Sequence, residues 1–385
     1  GVVFYLMSVV RSALRQRDWF TLPRREPNLA HLLDLVALGT VADLVPLDDN
    51  NRILVRQGME RIRHGRCSPG LLALLRVGKR DYRHLVASDL GFAVAPRLNA
   101  AGRLEDMGVG IRCLLTDDRE EALALATELD ELNHHRKARQ KQMQQEAFEQ
   151  LNRLLASLEG AELPPGLCLY DDAWHQGIVG LVASRIKDAV HRPVLAFAPE
   201  SEGADVLKGS ARSVSGLHIR DVLARVDALN PEMITAFGGH AMAAGLTLNA
   251  DRLESFRQAL NESIDFFLQG KSLNNELLTD GELASDEINL SFAEQLQDLG
   301  PWGQHFPEPL FEGRFVIEEQ RVVGGAHLKM ILMPVDGAGS IYAIEFGRMP
   351  EDLPATDTVG LVYKLDINHF RGNKTCQLMV EQILT

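Results

Sequence analysis

Gly166-Leu167-Cys168-Leu169-Tyr170 and Pro193-Val194-Leu195-Ala196-Phe197-Ala198, with an amphipathic stretch over 177–190 between them, decide the fold class of this chain. Short apolar runs bounded by Gly and Pro read as buried strands, and helical spacing between two of them gives a β-α-β rhythm. The rhythm begins after Pro164-Pro165 and closes with a helix over 251–268, so 160–268 reads as an α/β domain. Toward the C-terminus, 268–275 reads as a linker, and then the period changes to two. Val359, Leu361, Tyr363, Leu365 and Ile367 alternate with Gly360, Val362, Lys364 and Asp366, and Cys376, Leu378 and Val380 alternate with Gln377, Met379 and Glu381. That period marks half-buried strands. With further candidates at 277–284, 313–323, 326–334 and 339–346, five or six strands make 269–385 a small barrel, of which the OB-fold is the expected kind.

Toward the N-terminus, no Gly or Pro interrupts the chain from Asp117 to Glu159. Thr116 or Asp117 is placed to cap a helix there, and apolar positions recur at Leu125, Leu129, Leu132, Met143, Phe148, Leu151 and Leu155. At about 1.5 Å per residue such a helix reaches on the order of 60 Å, a strut between domains. Within it, Asn133-His134-His135-Arg136-Lys137 offers two adjacent histidines. Neighbouring helical residues point about 100° apart, so the pair reads as a solvated or DNA-facing basic face and not as a shared metal site. Residues 1–116 mix apolar helical runs with turns around 39–50, 65–70 and 91–110.

A length of 385 residues allows two to three domains. The formal charge of -13 excludes a protein that coats nucleic acid by bulk attraction, while leaving room for one locally basic cleft. Cys67, Cys113, Cys168 and Cys376 lack CxxC spacing, so neither a zinc site nor a disulfide framework is indicated, which fits a reducing cytoplasm. The opening apolar run ends at Arg11, short of the roughly 20 residues of a membrane span, and reads as a core helix.

Five stretches carry candidate chemistry. In Gly39-Thr40-Val41-Ala42-Asp43-Leu44-Val45-Pro46-Leu47 a lone carboxylate stands among small and apolar residues, after an apolar helix that Gly39 is expected to close. Such a carboxylate is costly unless compensated, and a helix cap, a salt-bridged core Asp and a metal ligand all satisfy that. Pro96-Arg97-Leu98-Asn99-Ala100-Ala101-Gly102-Arg103-Leu104 sets two guanidinium groups and an amide among small residues, which suits phosphate as well as ordinary ion pairs. Lys208-Gly209-Ser210-Ala211-Arg212-Ser213 can cradle a phosphate or form a polar turn. Phe237-Gly238-Gly239-His240-Ala241-Met242-Ala243-Ala244-Gly245 pairs glycines with a His, able to offer amides and a proton donor to an anion. Asp172-Ala173-Trp174-His175-Gln176-Gly177-Ile178-Val179-Gly180 puts His175 before a Gly-opened helix, where anion binding and strand-end packing are both open.

In their order along the chain these stretches resemble the RecJ family of the DHH/DHHA1 phosphoesterase superfamily. The resemblance covers essentially the whole chain and implies an α/β architecture in four parts. These are the C-terminal part of a DHH catalytic domain over 1–116, a long connecting helix over 117–159, a DHHA1 domain over 160–268 and an OB-fold over 269–385. It implies single-stranded-DNA-specific 5′ to 3′ exonuclease activity in recombination and repair, by hydrolysis at two divalent ions, Mn2+ or Mg2+. Asp43 would be one metal ligand and catalytic residue. Arg97, Asn99, Arg103, His175, Ser210, Arg212, Ser213, Gly238, Gly239 and His240 would hold the strand and its phosphates.

The family's upstream Asp and Asp-His-His motifs are absent from these residues, so the expectation is a chain inactive alone. Where the family often has Gly-Asn-Pro, this chain has His305-Phe306-Pro307. Trp302, Phe346, Tyr363 and Phe370 are candidates for stacking bases or for packing the barrel. Single-stranded DNA with a 5′ end is the expected partner, with single-strand binding protein and a RecQ-type helicase as collaborators, no membrane, and a cytoplasmic location. A DHH phosphodiesterase for short oligonucleotides or cyclic dinucleotides, and a catalytically silent strand-binding scaffold, are the alternatives.

Overall fold

The computed structural model describes residues 1–104, 106–157, 163–270, 273, 277–324, 327–337, 339–347, 357–370 and 373–384. It divides into two compact units. One holds Gly1–Ala95, Leu114–Leu123 and Leu277–Thr385, and the other holds Pro96–Cys113 and Ala124–Glu276.

The first unit begins with helices α1 (Val2–Gln16), α2 (Leu33–Ala42), α3 (Asp49–Arg63), α4 (Pro69–Val77) and α5 (Ala87–Asp89). Gly39 does not close α2 as expected from the sequence. The helix runs on to Ala42 and ends on Asp43, because continuing apolar contacts outweigh the modest cost of an internal glycine. Glycine acts instead at Gly58 of α3, where a Cβ would stand 2.1 Å from the Leu33 carbonyl oxygen and 2.6 Å from Ala37 Cβ. α2 and α3 therefore touch backbone to side chain, closer than any larger residue allows. Asp34 on α2 is 1 % exposed, and its carboxylate accepts from the amides of Leu35 and Ser68, both at 2.8 Å, tying α2 to the start of α4.

The stretch 91–110, expected as turns, is mostly helical. A π-helical segment over Leu90–Val94 leads into α6 (Ala95–Leu104), and α7 (Gly108–Leu115) follows. Pro96 lies where the π-helical segment passes into α6, so the helical run continues through a residue without an amide.

The stretch expected as a strut is one continuous helix, α8 (Arg119–Ser157), without a break at Asn133, and from Ala124 on it belongs to the second unit. Its cap is Asp118, one residue beyond the expected Asp117, accepting from the amides of Glu120 (2.7 Å) and Glu121 (3.1 Å). His134 and His135 are exposed, as expected of a solvated face.

The second unit is built on a five-stranded sheet, ordered β1-β2-β3-β5-β4. In chain order its elements are β1 (Leu167–Tyr170), α9 (Val179–Val190), β2 (Val194–Pro199), β3 (Val206–Arg212), α10 (Ile219–Leu229), β4 (Ala236–Gly239), β5 (Ala243–Asn249) and α11 (Leu253–Leu268). β1 and β2 are parallel and joined through α9, as the rhythm required, and the remaining pairs are antiparallel. Each face carries a core. Leu195, Phe197, Leu246 and Leu248 pack with Val222, Leu223, Phe256 and Leu260 of α10 and α11, while Val194 and Ala196 pack with Val182 and Ile186 of α9 and Met143, Ala147 and Leu151 of α8.

After α12 (Leu290–Leu299) the first unit ends in a closed barrel of β6 (Phe311–Val323), β7 (His327–Pro334), β8 (Ile341–Phe346), β9 (Thr358–Phe370) and β10 (Asn373–Leu384). The order β6-β7-β8-β10-β9, with only β8 and β10 parallel, is a Greek-key closure of the OB type. The candidate strand at 277–284 is reduced to a single bridge, Glu282 to Glu312. Within this unit the barrel's entrance segment seats on α3. The Leu47 amide donates to the Gln304 carbonyl at 2.7 Å, and the Arg52 guanidinium lies 3.6 Å over the Phe306 ring, which stacks on Trp302 at 4.9 Å.

Candidate functional site

The second unit has an open cavity of about 410 Å3 lined by Gly102, His175, Gln176, Gly177, Gly180, Ser210 and Arg212. Three of the sequence-predicted residues, His175, Ser210 and Arg212, are thus brought together, each for a local reason. Ser210 and Arg212 alternate with buried Gly209 and Ala211 along β3, so the strand's period of two turns both toward the same face. His175 lies in the turn before α9, whose N-terminus has unsatisfied amides and a partial positive charge.

Gly180 of α9 lets the helix approach β3. A Cβ there would stand 2.7 Å from Ser210 Oγ and 2.8 Å from Arg212 Nη2. The guanidinium is aligned by bonds from Nη1 to Ser210 Oγ (3.0 Å) and to the Ala211 carbonyl (2.8 Å). Beside Ser210 the sheet is bare. Ser210 pairs with Gly245 of β5, which pairs with Gly238 of β4, and neither glycine has a neighbour that would crowd a ligand. Strands lie about 4.8 Å apart, so this shelf extends roughly 10 Å from the hydroxyl.

His175 Nδ1 accepts from the Gly177 amide at 3.1 Å, so the neutral ring keeps its proton on Nε2. Burial, and then the positive charge of Arg139, hold this imidazole below its ordinary pKa. A neutral Nε2–H donor, a guanidinium, a hydroxyl and a helix N-terminus form a set of donors suited to a tetrahedral oxyanion.

The other predicted residues serve differently. Arg97 is 8 % exposed, and its Nε and Nη2 both donate to Asp130 Oδ1 at 2.8 Å. Asn99 is exposed on α6. The side chain of Arg103 lies outside the described residues. Ser213 is 1 % exposed, with its hydroxyl donating to the Leu217 carbonyl at 2.8 Å. Gly239 has φ +150°, and a Cβ there would strike the Ala243 carbonyl at 2.4 Å, so it shapes the β4–β5 turn. His240 is exposed, and its amide donates to the Ala243 carbonyl at 2.8 Å.

Asp43 belongs to the first unit. It is exposed at the end of α2, contrary to the premise that it is an apolar-buried carboxylate, because the chain turns outward through Leu44 to Pro46. Among the described residues no group of three or more His, Cys, Asp or Glu side chains is arranged to hold a metal ion. These donors do not by themselves fit a pair of divalent ions. Of the aromatic candidates, Tyr363 is fully buried in the barrel core, Phe346 is 58 % exposed, Trp302 is half-buried against Phe306, and the Phe370 side chain lies outside the described residues. Gly102, Gln176, Gly177, Gly180 and Gly245 were not among the predicted site residues. All five nevertheless stand inside the quoted stretches.

Family models for the DHHA1 domain and the RecJ OB domain match residues 164–265 and 279–382. The single-stranded-DNA-specific exonuclease RecJ of Salmonella typhimurium is 52% identical over 386 residues, covering 100% of this chain and 66% of that protein. The protein of the same name from Escherichia coli is 51% identical over 388 residues, with the same coverage. The crystal structure of Thermus thermophilus RecJ in complex with Mg2+ superposes with a TM-score of 0.75 at 28% identity, covering 97% of this chain and 54% of that one. The chain thus spans 66% of the length of these curated relatives. No helix among the described residues is long and apolar enough to cross a membrane. With its mixed α/β architecture, its sheet built around the glycine-bearing motifs and its OB barrel, the chain belongs to the RecJ family.

Proposed function

We propose that this chain is the strand-holding portion of a single-stranded-DNA-specific 5′ to 3′ exonuclease, and that the cavity on α9 and β3 binds a DNA phosphate. The observation that carries this reading is the convergence of Arg212, Ser210, His175 and the amino end of α9 on one open cavity, beside a glycine shelf that leaves room for a sugar-phosphate backbone. Arg212 and Ser210 would take the phosphate oxygens, and the Nε2–H of His175 would donate a third bond. Gly238, Gly239 and His240 would border the shelf, with Asn99 and Arg103 on α6 contributing from the segment that Arg97 anchors.

The division into a DHH part over 1–116, a connecting helix over 117–159, DHHA1 over 160–268 and an OB domain over 269–385 belongs to the same proposal. So do divalent ions of the kind named for the Thermus relative, with Asp43 as one ligand; such ions activate water and neutralise phosphate charge when bound. A cytoplasmic location, and work alongside single-strand binding protein and a RecQ-type helicase, complete it.

The test is binding of a 5′-phosphorylated single strand to the chain and to its Arg212→Gln variant. A loss of about tenfold or more is expected for a charged hydrogen-bonding partner. Equal affinity for both would overturn the phosphate site. In the same preparation, Mn2+-dependent digestion is expected to be negligible, because the described donors do not assemble a metal pair. Robust digestion would show that Asp43 finds partners within these residues.

A further inference from the structure

Helix α8 packs on the turn that carries His175, and it brings a residue that no motif singles out. Met143 and Ala147 of α8 are buried with Trp174, Ile178 and Val179, and Glu146 accepts from Trp174 Nε1 at 2.9 Å. Arg139 lies on the same stripe, two turns or about 10 Å before Glu146 along the axis, and its positive charge disfavours a proton on His175. Its side chain is exposed, and among the described residues it has no ion pair.

We propose that His175 is a proton-coupled anion donor, neutral in the empty cavity and taking up a second proton together with an incoming phosphate, and that Arg139 is the positioning charge that enforces this coupling.

This coupling rests on the phosphate-binding reading above and follows from the sign of the charges around one ring. His175 faces Arg212 of β3 across the cavity and Arg139 of α8 beside it. The nearby carboxylates are engaged elsewhere or lie to one side. Glu146 holds Trp174, Glu200 pairs with Lys208 at 3.1 Å, and Asp171 caps its own turn through the Ala173 amide; Asp172 is exposed in the same loop. Burial, and then the charge of Arg139, disfavour a proton on the empty ring. An anion reverses the local field and supplies an acceptor for Nε2–H, so the ring's proton affinity rises on binding.

By linkage, the anion must then bind more tightly as pH falls, by up to about tenfold for each unit by which the imidazole's pKa rises. The Nδ1 bond from Gly177 belongs to the neutral ring and is given up on protonation, which limits the gain.

Sulfate is the probe, since it is a tetrahedral dianion that does not itself titrate between about pH 5.5 and pH 8, across the ordinary imidazole range. Titration calorimetry in buffers of different ionisation enthalpy, at fixed ionic strength, reads affinity and proton uptake together. The expected result is Arg212-dependent binding, tighter at low pH, with uptake of up to one proton. His175→Gln keeps a donor but cannot ionise, and should bind with no pH dependence and no uptake. Arg139→Gln should move the uptake window to higher pH and move the His175 ring resonance with it, a change that a purely structural role for Arg139 would not produce. The resonance is assigned by its absence in His175→Gln, and Arg139→Gln is a surface change that leaves the core intact.

If sulfate binds through Arg212 without proton uptake, the coupling is wrong and the phosphate cavity stands. If Arg212→Gln leaves sulfate binding unchanged, the cavity itself is wrong and the coupling falls with it. An unshifted resonance in Arg139→Gln would remove Arg139 from the proposal.

Discussion

Gly180→Ala tests the site's geometry by adding a single methyl group. The new Cβ would meet Ser210 Oγ at 2.7 Å and Arg212 Nη2 at 2.8 Å, closer than carbon and these atoms tolerate. Both obstacles are side-chain ends, so they are displaced and the backbone stays in place. Helix propensity favours alanine by about 1 kcal/mol, and overpacking costs about 1 to 3 kcal/mol. Stability is therefore expected to change by no more than about 2 kcal/mol. The displaced guanidinium loses its 3.0 Å bond to Ser210 and its aim into the cavity. A charged hydrogen bond is worth about 1.5 to 3 kcal/mol, so affinity for a 5′-phosphorylated single strand should fall roughly 10- to 100-fold. Fluorescence anisotropy with a labelled strand reads the affinity, and urea unfolding reads the stability. The double variant Gly180→Ala, Ser210→Ala removes one of the two collisions and should regain stability without regaining affinity. Unchanged strand affinity in a folded Gly180→Ala protein would refute the assignment of Arg212 to phosphate.

Gly58→Ala should behave in the opposite way. Its Cβ meets the Leu33 carbonyl at 2.1 Å, backbone cannot step aside, and a loss of roughly 3 kcal/mol or more is expected in the denaturant midpoint of the first unit. Asp34→Asn replaces one buried acceptor with a donor facing an amide, and should destabilise that unit by about 1 to 3 kcal/mol, read the same way. Burial pushes the thiols of Cys67 and Cys168 up to about 12, so at pH 8 the native protein should alkylate at these positions about a thousandfold more slowly than an ordinary cysteine, measured by mass spectrometry with and without denaturant. His369 of β9 stacks on His84 at 4.4 Å and is held below its ordinary pKa by burial, then by His84 and Lys374, against smaller opposite effects of Asp366 and Asp81. A depressed histidine favours the fold above the ordinary imidazole pKa, and that contribution is lost as pH falls below it. His369→Asn should therefore flatten the acid side of the thermal-stability profile.

The parts of this molecule legible in its sequence are those where one local pattern decides the outcome. Alternation from Val359 to Ile367 could only be a half-buried strand, and β9 covers it. Uninterrupted helical spacing fixed α8, and short apolar runs fixed β1 and β2. Glycine and proline do not punctuate the chain where packing on the opposite side sustains a helix. Gly39 sits inside α2, and Gly91, Pro96 and Gly102 sit inside the helical run before Met107, because packing sustains those segments. The same holds for the carboxylates. Asp43 has apolar neighbours and is exposed, whereas Asp34, nine residues earlier in the first turn of the same apolar helix, is the buried one. Which residue of a helix faces inward depends on the phase set by α3 and α4, and that phase is tertiary information.

The site follows the same logic, with a consequence for reading glycine-bearing motifs. Ser210, Arg212 and His175 were legible because their chemistry is local. Their convergence was not, since it depends on the register Ser210 to Gly245 to Gly238 and on α9 approaching β3 at Gly180. Two adjacent glycines in one motif then divide their duties. Gly239 satisfies a backbone demand, a positive φ with a carbonyl 2.4 Å from where a Cβ would be, while Gly238 meets no neighbour and leaves space. Substituting Gly239 should damage the β4–β5 turn whatever the ligand, whereas a small side chain at Gly238 should be tolerated by the fold and felt by the strand. The charge distribution points the same way. Residues 269–385 carry 18 Asp and Glu against 8 Lys and Arg, while residues 1–116 carry 11 against 17. An acidic barrel attracts phosphate poorly, so under the proposed function the electrostatic hold on a strand falls to the helical part and to Arg212.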